Sequence, residues 1–374
     1  MKYIKRDIEH IVNKNISFFE RTNSKKPLLG IYVMGLNYMK AYKETSKTIP
    51  INRPLEPEDI NISSLIRDIE DFVIMHEELG DDIFYSIQPF LYIPWMEAIA
   101  GCPIYVGSNS FYAKPFLKNL YEFDENDDLL ENNKWFMKLL EIKKALIDYF
   151  SDNYPVSSST HLRGPADLTS AALGQEQFCI DFYDNPEELK KIIDFYTDLF
   201  IKVAKIENEI SSKSKFSGYV VNTFGIWTSK ICQFFQDDAL AFISPKLFKD
   251  FFLNSHLKID AGFNSTFYHL HPVSMFMVDE LIKYPNLKII EINREPETIG
   301  PDMEKLVAAF RKIQDNQKSI YIHFTDISFN FALLEKELNI IKNNLSTNGM
   351  CVNICVGDLG DGLKKMDLMR KVFE

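Results

Sequence analysis

Two histidines placed two residues apart are the first groups in this sequence that could do chemistry. They are His269 and His271, in the stretch STFYHLHPVS, and Pro272 follows directly behind them. Residues two apart in a strand point to the same side, and a proline is typical of a strand's end. Both imidazoles would therefore reach the same space. Three interpretations are open: a metal site, an acid/base pair, or ordinary packing within a strand.

Other polar residues follow strand-like runs elsewhere in the chain and could contact a substrate. They are Trp95, Glu97, Arg163, Asn222, Trp227, Asn293 and His323. Arg163 would hold a carboxylate or a phosphate, or else brace the backbone beside Gly164. The segment with Trp95 and Glu97 either lines a substrate pocket or forms a helical turn whose tryptophan packs at the edge of the fold. Asp237 and Asp238 could act as an acid/base pair, although helix capping explains one of them equally well. We take Asp238 as the catalytic candidate.

Short apolar runs that alternate with helical segments must position these residues. Eight such runs begin near Pro27, Asp81, Pro155, Ser217, Phe263, Leu287, Lys318 and Met350. Several of the helical segments between them open with Asn-Pro, Ser-Pro or Pro-Asp, which are helix-start signals. The alternation predicts an α/β fold, namely a single (β/α)₈ barrel of the TIM type rather than an open sheet. The polar residues would then meet where the strands end.

The whole chain, residues 1–374, is interpreted as one barrel domain. Residues 1–26 would form a helical extension before the first strand, and the segment from Phe90 to Asp128 would be an elaborated loop over the barrel mouth. At 374 residues and 46% hydrophobic content, the chain can bury a core of this size.

Charge and cysteine usage exclude several classes of protein. The chain has 42 Lys and Arg against 53 Asp and Glu, a formal charge of −11, so it lacks the basic surface that nucleic acid requires. No apolar run approaches membrane-spanning length, and the N-terminus has no continuous apolar stretch typical of a signal peptide. We therefore expect a cytoplasmic protein with no membrane partner. Five cysteines without a CxxC pair argue against a disulfide framework or a zinc ribbon. A homodimer is left open.

Longer segments of the chain resemble the uroporphyrinogen decarboxylase-type superfamily, which includes corrinoid-linked methyltransferases. The segment RGPADLTSAALGQEQFCIDFYDNPEELKKIIDFYTD is similar to the family's stretch after the third strand, with its Gly-Pro and helix-start proline. QDDALAFISPKLFKDFFLNSHLKI is similar to the stretch after the fourth strand, with its acidic pair and Ser-Pro. The likeness continues through FYHLHP to the last strand, and the order and spacing of these segments make it specific. It implies a distorted TIM barrel.

The decarboxylase branch of this superfamily is disfavoured by missing charges. The resemblance implies two arginines after the first strand to hold substrate carboxylates, and Val33 and Asn37 stand at those positions. The aspartate that the family has on the second strand, facing the pyrrole nitrogens, is also missing, because YSIQP puts Ile87, Gln88 or Pro89 there; Tyr38 and Ser86 are retained. We therefore predict no activity on uroporphyrinogen.

The methyltransferase branch implies a zinc ion that activates a thiol toward a methylcorrinoid. Its usual ligands are a His-x-Cys pair and a cysteine at the end of the last strand, and this chain has His269, His271 and Cys355 at those places. The chain has no corrinoid-binding stretch of its own, so a partner corrinoid protein would supply that cofactor. The resemblance thus implies methyl transfer between a small molecule or thiol and that partner. The alternative is a lyase or decarboxylase of another acid, or a small-molecule binding protein, on the same barrel.

Overall fold

The protein is described by a computed structural model that covers residues 3–23, 25–33, 41–108, 110–126, 128–213, 220–296, 299–325 and 330–374. Strands and helices alternate along it. The strands are β1 Leu28–Val33, β2 Ile104–Val106, β3 Phe111–Ala113, β4 Val220–Val221, β5 Trp227–Thr228, β6 Gln233–Phe235, β7 Thr266–Leu270, β8 Leu287–Arg294, β9 Ser319–Phe324 and β10 Met350–Val356. The α-helices of six residues or more are Ile8–Phe19, Ile62–Glu77, Trp95–Ala100, Lys134–Phe150, Pro165–Leu173, Gln175–Asp184, Pro186–Ser211, Leu253–Ala261, Met303–Asp315, Phe331–Asn344 and Leu359–Phe373.

Six of the strands form one parallel sheet in the order β1-β10-β9-β8-β7-β6. Successive strands along the chain are neighbours from β6 to β10, and helices such as Met303–Asp315 and Phe331–Asn344 connect them. Parallel strands need such crossovers because both strands must start from the same edge of the sheet. All the strands of the sheet therefore end on one side.

One face of the sheet is covered by helices. Its side chains are the alternate apolar residues of each strand, and they belong to the same hydrophobic core as the helices: Leu29, Ile31, Tyr268, Leu270, Ile290, Ile292, Ile320, Ile322, Val352 and Ile354. Burial of an aliphatic side chain of this size contributes roughly 1.5–3 kcal/mol. This face therefore fixes the register of each strand, since a slip of one residue would turn its apolar side chains away from the helices.

The opposite face holds a second core near the start of the strands and polar groups near their ends. The second core contains Leu28, Phe234, Phe267, Ile289, Tyr321 and Cys351 from the sheet, and Phe18 from the N-terminal helix. Further along the same strands, on the same alternation, lie His269, Glu291, His323 and Cys355. Cys351 lies four residues before Cys355 on the same strand and belongs to this second core.

The predicted eight-stranded closed barrel is found only in part. The runs that begin at Pro27, Phe263, Leu287, Lys318 and Met350 form β1, β7, β8, β9 and β10. The runs near Asp81 and Pro155 make isolated parallel bridges instead, Ile87 with Val156 and Ser157 with Val221. The fold is α/β and its six-stranded sheet is parallel, as expected, but closure of the sheet into a ring of eight strands is not shown.

The run near Ser217 differs most from the prediction. Its described part ends in a tight hairpin, in which β4 pairs antiparallel with β5. The Asn222 Oδ1 atom accepts a hydrogen bond from the backbone N–H of Phe224, and Gly225 has a φ of +77°. A local side-chain turn followed by a left-handed glycine stops a strand. β6, which the sequence did not predict, follows this hairpin.

The predicted N-terminal extension contains the helix Ile8–Phe19, whose Phe18 packs in the second core near the start of the strands. The helix Ile8–Phe19 begins at Asp7, whose side chain accepts from the N–H of His10. Asn15 donates from Nδ2 to the carbonyl of Asp82 and accepts at Oδ1 from the N–H of Trp227. In its described residues, the segment Phe90–Asp128 contains the α-helix Trp95–Ala100, the 3₁₀ helix Leu120–Glu122 and the β2–β3 hairpin. None of the helices in the described residues has the length and apolar composition needed to cross a membrane.

We predict that Gly225→Ala destabilises the protein by about 2 kcal/mol or more. An added Cβ would lie 2.1 Å from the carbonyl oxygen of Phe84, and the φ of +77° is unfavourable for alanine. Gly360→Ala, in the helix Leu359–Phe373, is the control, because its Cβ would come no closer than 3.3 Å to Asp358. We expect that change to lie within about 1 kcal/mol of wild type. Urea denaturation measures both, and equal losses would contradict the prediction.

Candidate functional site

A cavity of about 270 Å³ lies where the strands of the sheet end. Its polar lining consists of Tyr32, Gln88, Tyr92, Ser110, His161, Arg163, Thr223, Gln236, Asp238, His269, His271, Asn293, His323 and Thr325. Its apolar lining consists of Leu91, Ile93, Pro94 and Phe224. Parallel strands direct their carboxyl ends to one edge of the sheet, which explains why so many polar side chains from distant parts of the sequence meet here.

His269 is held by a carboxylate from the neighbouring strand. β7 and β8 pair so that His269 lies opposite Glu291, and the Nδ1 atom of His269 forms a short hydrogen bond with Oε2 of Glu291. Burial would raise the pKa of Glu291, but the charge of His269 and its hydrogen bond outweigh burial and lower the pKa to about 2. Glu291 is therefore ionised, and His269 presents its Nε2 atom to the cavity.

His271 is held in the same way by a second carboxylate. Its Nδ1 atom lies 2.5 Å from Oε1 of Glu295, which follows the end of β8. Burial would lower the pKa of His271, but the hydrogen bond to Glu295 and the charge of Asp238 raise it to about 9. The rings of His269 and His271 are 4.8 Å apart and nearly perpendicular. Both imidazoles thus have Nδ1 on a carboxylate of β8 or its end, and both have Nε2 near Asp238.

Asp238 faces the Nε2 atoms of both histidines. Its Oδ1 atom lies 3.8 Å from Nε2 of His269 and 3.6 Å from Nε2 of His271. One atom from each of the three residues lies within 4.8 Å of the other two, and the described residues contain no other such group of histidine, cysteine and acidic side chains. Burial would raise the pKa of Asp238, but His269 and Arg163 lower it. Two nitrogens and a carboxylate oxygen therefore converge on one point.

Two neighbouring aspartates fix the backbone that carries Asp238. Oδ1 of Asp237 accepts from the N–H groups of Ala166 and Asp167, at the start of the helix Pro165–Leu173. Asp167 in turn accepts at Oδ1 from the N–H of Ala239. Each carboxylate caps the other's helical turn, which satisfies backbone donors that would otherwise be unpaired. Asp237 thus caps a helix other than the one expected from the sequence, because its side chain makes no capping hydrogen bond to the turn Asp238–Phe242 that follows it.

Cys355 lies outside the group formed by Asp238, His269 and His271. Its sulfur is 3.1 Å from Nε2 of His323, and Nδ1 of His323 is 3.3 Å from Oε1 of Glu291. The sequence places Cys355 together with His269 and His271, whereas the carboxylate that converges on those two imidazoles belongs to Asp238. The reason is that His323, one strand nearer to His269, lies between them and contacts the sulfur.

The remaining predicted substrate contacts divide into two groups. Arg163, Asn293 and His323 line the cavity. Glu97 is buried behind Arg163 and forms an ion pair with it, 3.1 Å from Oε1 to Nη1. Trp95 is fully buried against Trp135 and donates from Nε1 to the carbonyl of Phe90, which agrees with the packed alternative.

Asn222 and Trp227 are not among the described residues that line the cavity. Asn222 closes the turn of the β4–β5 hairpin, and Trp227 is bonded to the N-terminal helix. The tip of this hairpin contributes Thr223 and Phe224 to the lining instead. Sequence reasoning missed both, as it missed Glu295. The signal for Glu295 was its position four residues beyond Glu291, just past the end of a strand.

A larger cleft, of about 690 Å³, lies beside the N-terminal helix. Two of its basic residues are already paired, Lys14 with Asp82 at 2.7 Å and Arg370 with the carbonyl of Gly80 at 2.7 Å. None of the convergent histidines lies there. The smaller cavity at the ends of the strands is therefore the better candidate for the functional site despite its size.

Asn37 and Tyr38, which the sequence analysis compared with the decarboxylase pattern, lie outside the described residues.

Comparison with known proteins gives one informative result. No protein-family model matches the chain, and no match was found among curated proteins. Among solved structures, the chain is similar to a methyltransferase from Methanosarcina mazei, with a TM-score of 0.65 and 14% sequence identity. The alignment covers 97% of this chain and 98% of the other. The two proteins share a fold.

A buried histidine behind the site predicts how stability responds to acid. His256 contacts Asp237, with Nε2 2.8 Å from Oδ2, and burial lowers its pKa to about 3. In the unfolded chain, the His256 imidazole takes up a proton near pH 6.5. In the folded chain it does so only near pH 3, so the free energy of unfolding falls as the pH drops from 6.5 to 3. We expect His256→Gln to remove about 1.4 kcal/mol per pH unit from the slope below pH 6.

Guanidinium denaturation at pH 7, 6 and 5 measures this slope. The matched control is His10→Gln, because His10 is exposed on the N-terminal helix and should leave the slope unchanged. Parallel pH profiles for wild type and His256→Gln would contradict the prediction.

Proposed function

We propose that this protein is a methyltransferase of the corrinoid-linked type, which moves a methyl group between a small molecule or thiol and a partner corrinoid protein. The observation that carries the proposal is the convergence of Asp238, His269 and His271 at the strand ends of a fold shared with a methyltransferase. In this proposal the parallel sheet is the main wall of a distorted (β/α)₈ barrel, and the bridged segments near Ile87 and Ser157 complete it.

The donor set suits a zinc ion. Catalytic zinc sites use three protein ligands, for example two histidines and one carboxylate, and keep the fourth position open for water or substrate. Histidine ligands of metals generally place their other nitrogen on a carboxylate, as His269 does on Glu291 and His271 on Glu295. Asp238 would be the third ligand. When bound there, zinc would supply a Lewis acid that lowers the pKa of a substrate thiol.

The protein's own groups would orient the substrate. The side-chain amide oxygen of Asn293, Oδ1, is buried at the cavity and has no hydrogen-bond partner among the described residues. Buried acceptors of this kind gain most from a ligand that brings N–H or O–H donors. Arg163 adds a positive charge, which Glu97 holds in place on one wall. A small polar ligand fits this lining better than an apolar one.

The size of the described cavity agrees with a small substrate. Its volume of about 270 Å³ lies near the lower end of the range usual for small-molecule sites. In the proposal, a methylcorrinoid would present its methyl group at the mouth while bound to its own protein.

We predict that protein purified without chelator binds one zinc ion and that His271→Ala and Asp238→Asn abolish this binding. Each change removes one donor of the three. Glu295→Gln should weaken zinc binding by about 10–100-fold, because it removes the partner that orients His271. Elemental analysis for zinc and iron, with competition against a chromogenic chelator, measures both effects.

Cys355→Ser separates the two ligand sets. It should retain zinc if Asp238 completes the site, and it should lose zinc as fully as His271→Ala if the cysteine is the third ligand. Wild-type protein without any metal would point instead to the alternative, a metal-free lyase or a small-molecule binding protein on the same fold.

Methyl transfer can be tested with free methylcob(III)alamin and a panel of small thiols. We expect the wild-type protein to demethylate the methylcorrinoid and to form the methyl thioether. We expect His271→Ala to lower the rate at least a hundredfold, which exceeds the 10–100-fold loss usual when a residue that only hydrogen-bonds to a metal ligand is changed. The corrinoid absorbance and mass spectrometry of the thioether give the readouts. His10→Gln is the control. Zinc-loaded protein that shows no transfer with any thiol would count against the proposal.

A further inference from the structure

A buried amide without a partner lies in the wall of the cavity. Asn293 is on β8, two residues after Glu291 and on the same face, and it is paired with His323 on β9. It lines the cavity, although only 6% of the residue is exposed. Its Oδ1 atom has no hydrogen-bond partner, and neither amide atom bonds to a residue that the structure describes. Leaving a buried polar group unsatisfied is costly, so a ligand that satisfies this amide binds more tightly for doing so.

The charged groups around the cavity, in contrast, already have partners within the protein. Arg163 is paired with Glu97, with Nη1 3.1 Å from Oε1. The imidazole of His271 lies between the carboxylates of Glu295 and Asp238. A charged ligand would lose its hydration on entry and would meet no uncompensated opposite charge in these groups. This pairing favours a neutral ligand.

The amide also specifies which hydrogen bonds the ligand must offer. A carboxamide presents an acceptor oxygen and a donor nitrogen side by side. The group that satisfies both at once carries a donor and an acceptor on one edge, as a cis amide, a lactam or a urea does. Rotation of the Asn293 amide by half a turn exchanges Oδ1 and Nδ2 and leaves this requirement unchanged.

Aromatic rings near Asn293 favour a planar ligand. Tyr32, Tyr92 and Phe224 line the same cavity. The ring centroids of Tyr32 and Phe224 lie 6.3 and 5.6 Å from that of His323, the residue paired with Asn293. A flat molecule can pack its faces against such rings while its edge meets the amide.

We propose that Asn293 determines the substrate class of this cavity, and that the ligand is a small, planar, neutral molecule with a cis-amide edge. The ligand donates its N–H to Oδ1 of Asn293 and accepts from Nδ2 at its own carbonyl oxygen. Binding is a property of the cavity alone. The inference rests on the proposed function only for the reaction that follows, in which this ligand is the small molecule that gives or takes the methyl group.

The test is binding of 2-pyridone to the native full-length chain, measured by ligand-observed NMR titration. N-methyl-2-pyridone is the matched ligand, because it keeps the ring and the carbonyl and lacks the N–H donor. Benzoate is a flat anion of similar size. We expect the wild-type protein to bind 2-pyridone at least about tenfold more tightly than either of the other two.

Two variants of Asn293 and one control extend the test. Asn293→Leu removes both amide atoms at similar volume, so it should bind the two pyridones equally. Asn293→Asp offers acceptors only and a negative charge, so it should favour benzamidine, a flat cation with paired donors, over 2-pyridone. Asn339→Asp makes the same chemical change at an exposed position of the helix Phe331–Asn344, and it should keep the wild-type order.

Four results would overturn the inference: no binding of 2-pyridone to the wild type, equal binding of the two pyridones, tighter binding of benzoate, or the wild-type preference retained in Asn293→Leu. If a variant loses its cooperative thermal transition, the wild-type order alone decides. Methyl transfer is measured separately. Wild-type protein that prefers 2-pyridone but transfers no methyl group would support the substrate class and contradict only the proposed function.

Discussion

A single buried carboxylate, Glu291, organises the polar end of the sheet. Its two oxygens face imidazoles on both neighbouring strands, His269 on β7 and His323 on β9. An ionised group without solvent is stable only when opposite charges and hydrogen-bond donors surround it, so Glu291 and the two histidines depend on each other. The position of Glu291 also decides that both rings turn their other nitrogen away, one toward Asp238 and one toward Cys355.

The same carboxylate joins two groups of polar side chains. On one side, His269, His271 and Asp238 offer nitrogen and oxygen donors of the kind that zinc accepts. On the other side, the buried sulfur of Cys355 contacts the imidazole of His323. Because Glu291 contacts a member of each group, a change in charge on one side alters the field at the other. The two groups need not serve the same step, but they cannot be electrically independent.

Rigidity around the cavity comes from paired acids and from packing. Asp237 and Asp167 cap each other's helical turns, and this places the backbone of Asp238 where two imidazoles meet. Glu97 holds Arg163 in a similar manner. On the far face of the sheet, the apolar alternation locks the register of each strand against the helices. A site held within a fraction of an ångström needs support of both kinds, because a loosely held ligand group loses much of its effect.

The sequence by itself determined the α/β class, the strands from Phe263 onward and the fact that His269 and His271 share one face, because these follow from local alternation and from proline and capping signals. It also pointed to Asp238 as a site residue. Only the tertiary structure decided that Asp238 faces both imidazoles, that Cys355 pairs with His323, and that Trp95 packs in the core. The physical reason is that side chains far apart in the chain meet through strand register, turn geometry and the order of strands in the sheet, and none of these is encoded in the spacing of neighbouring residues.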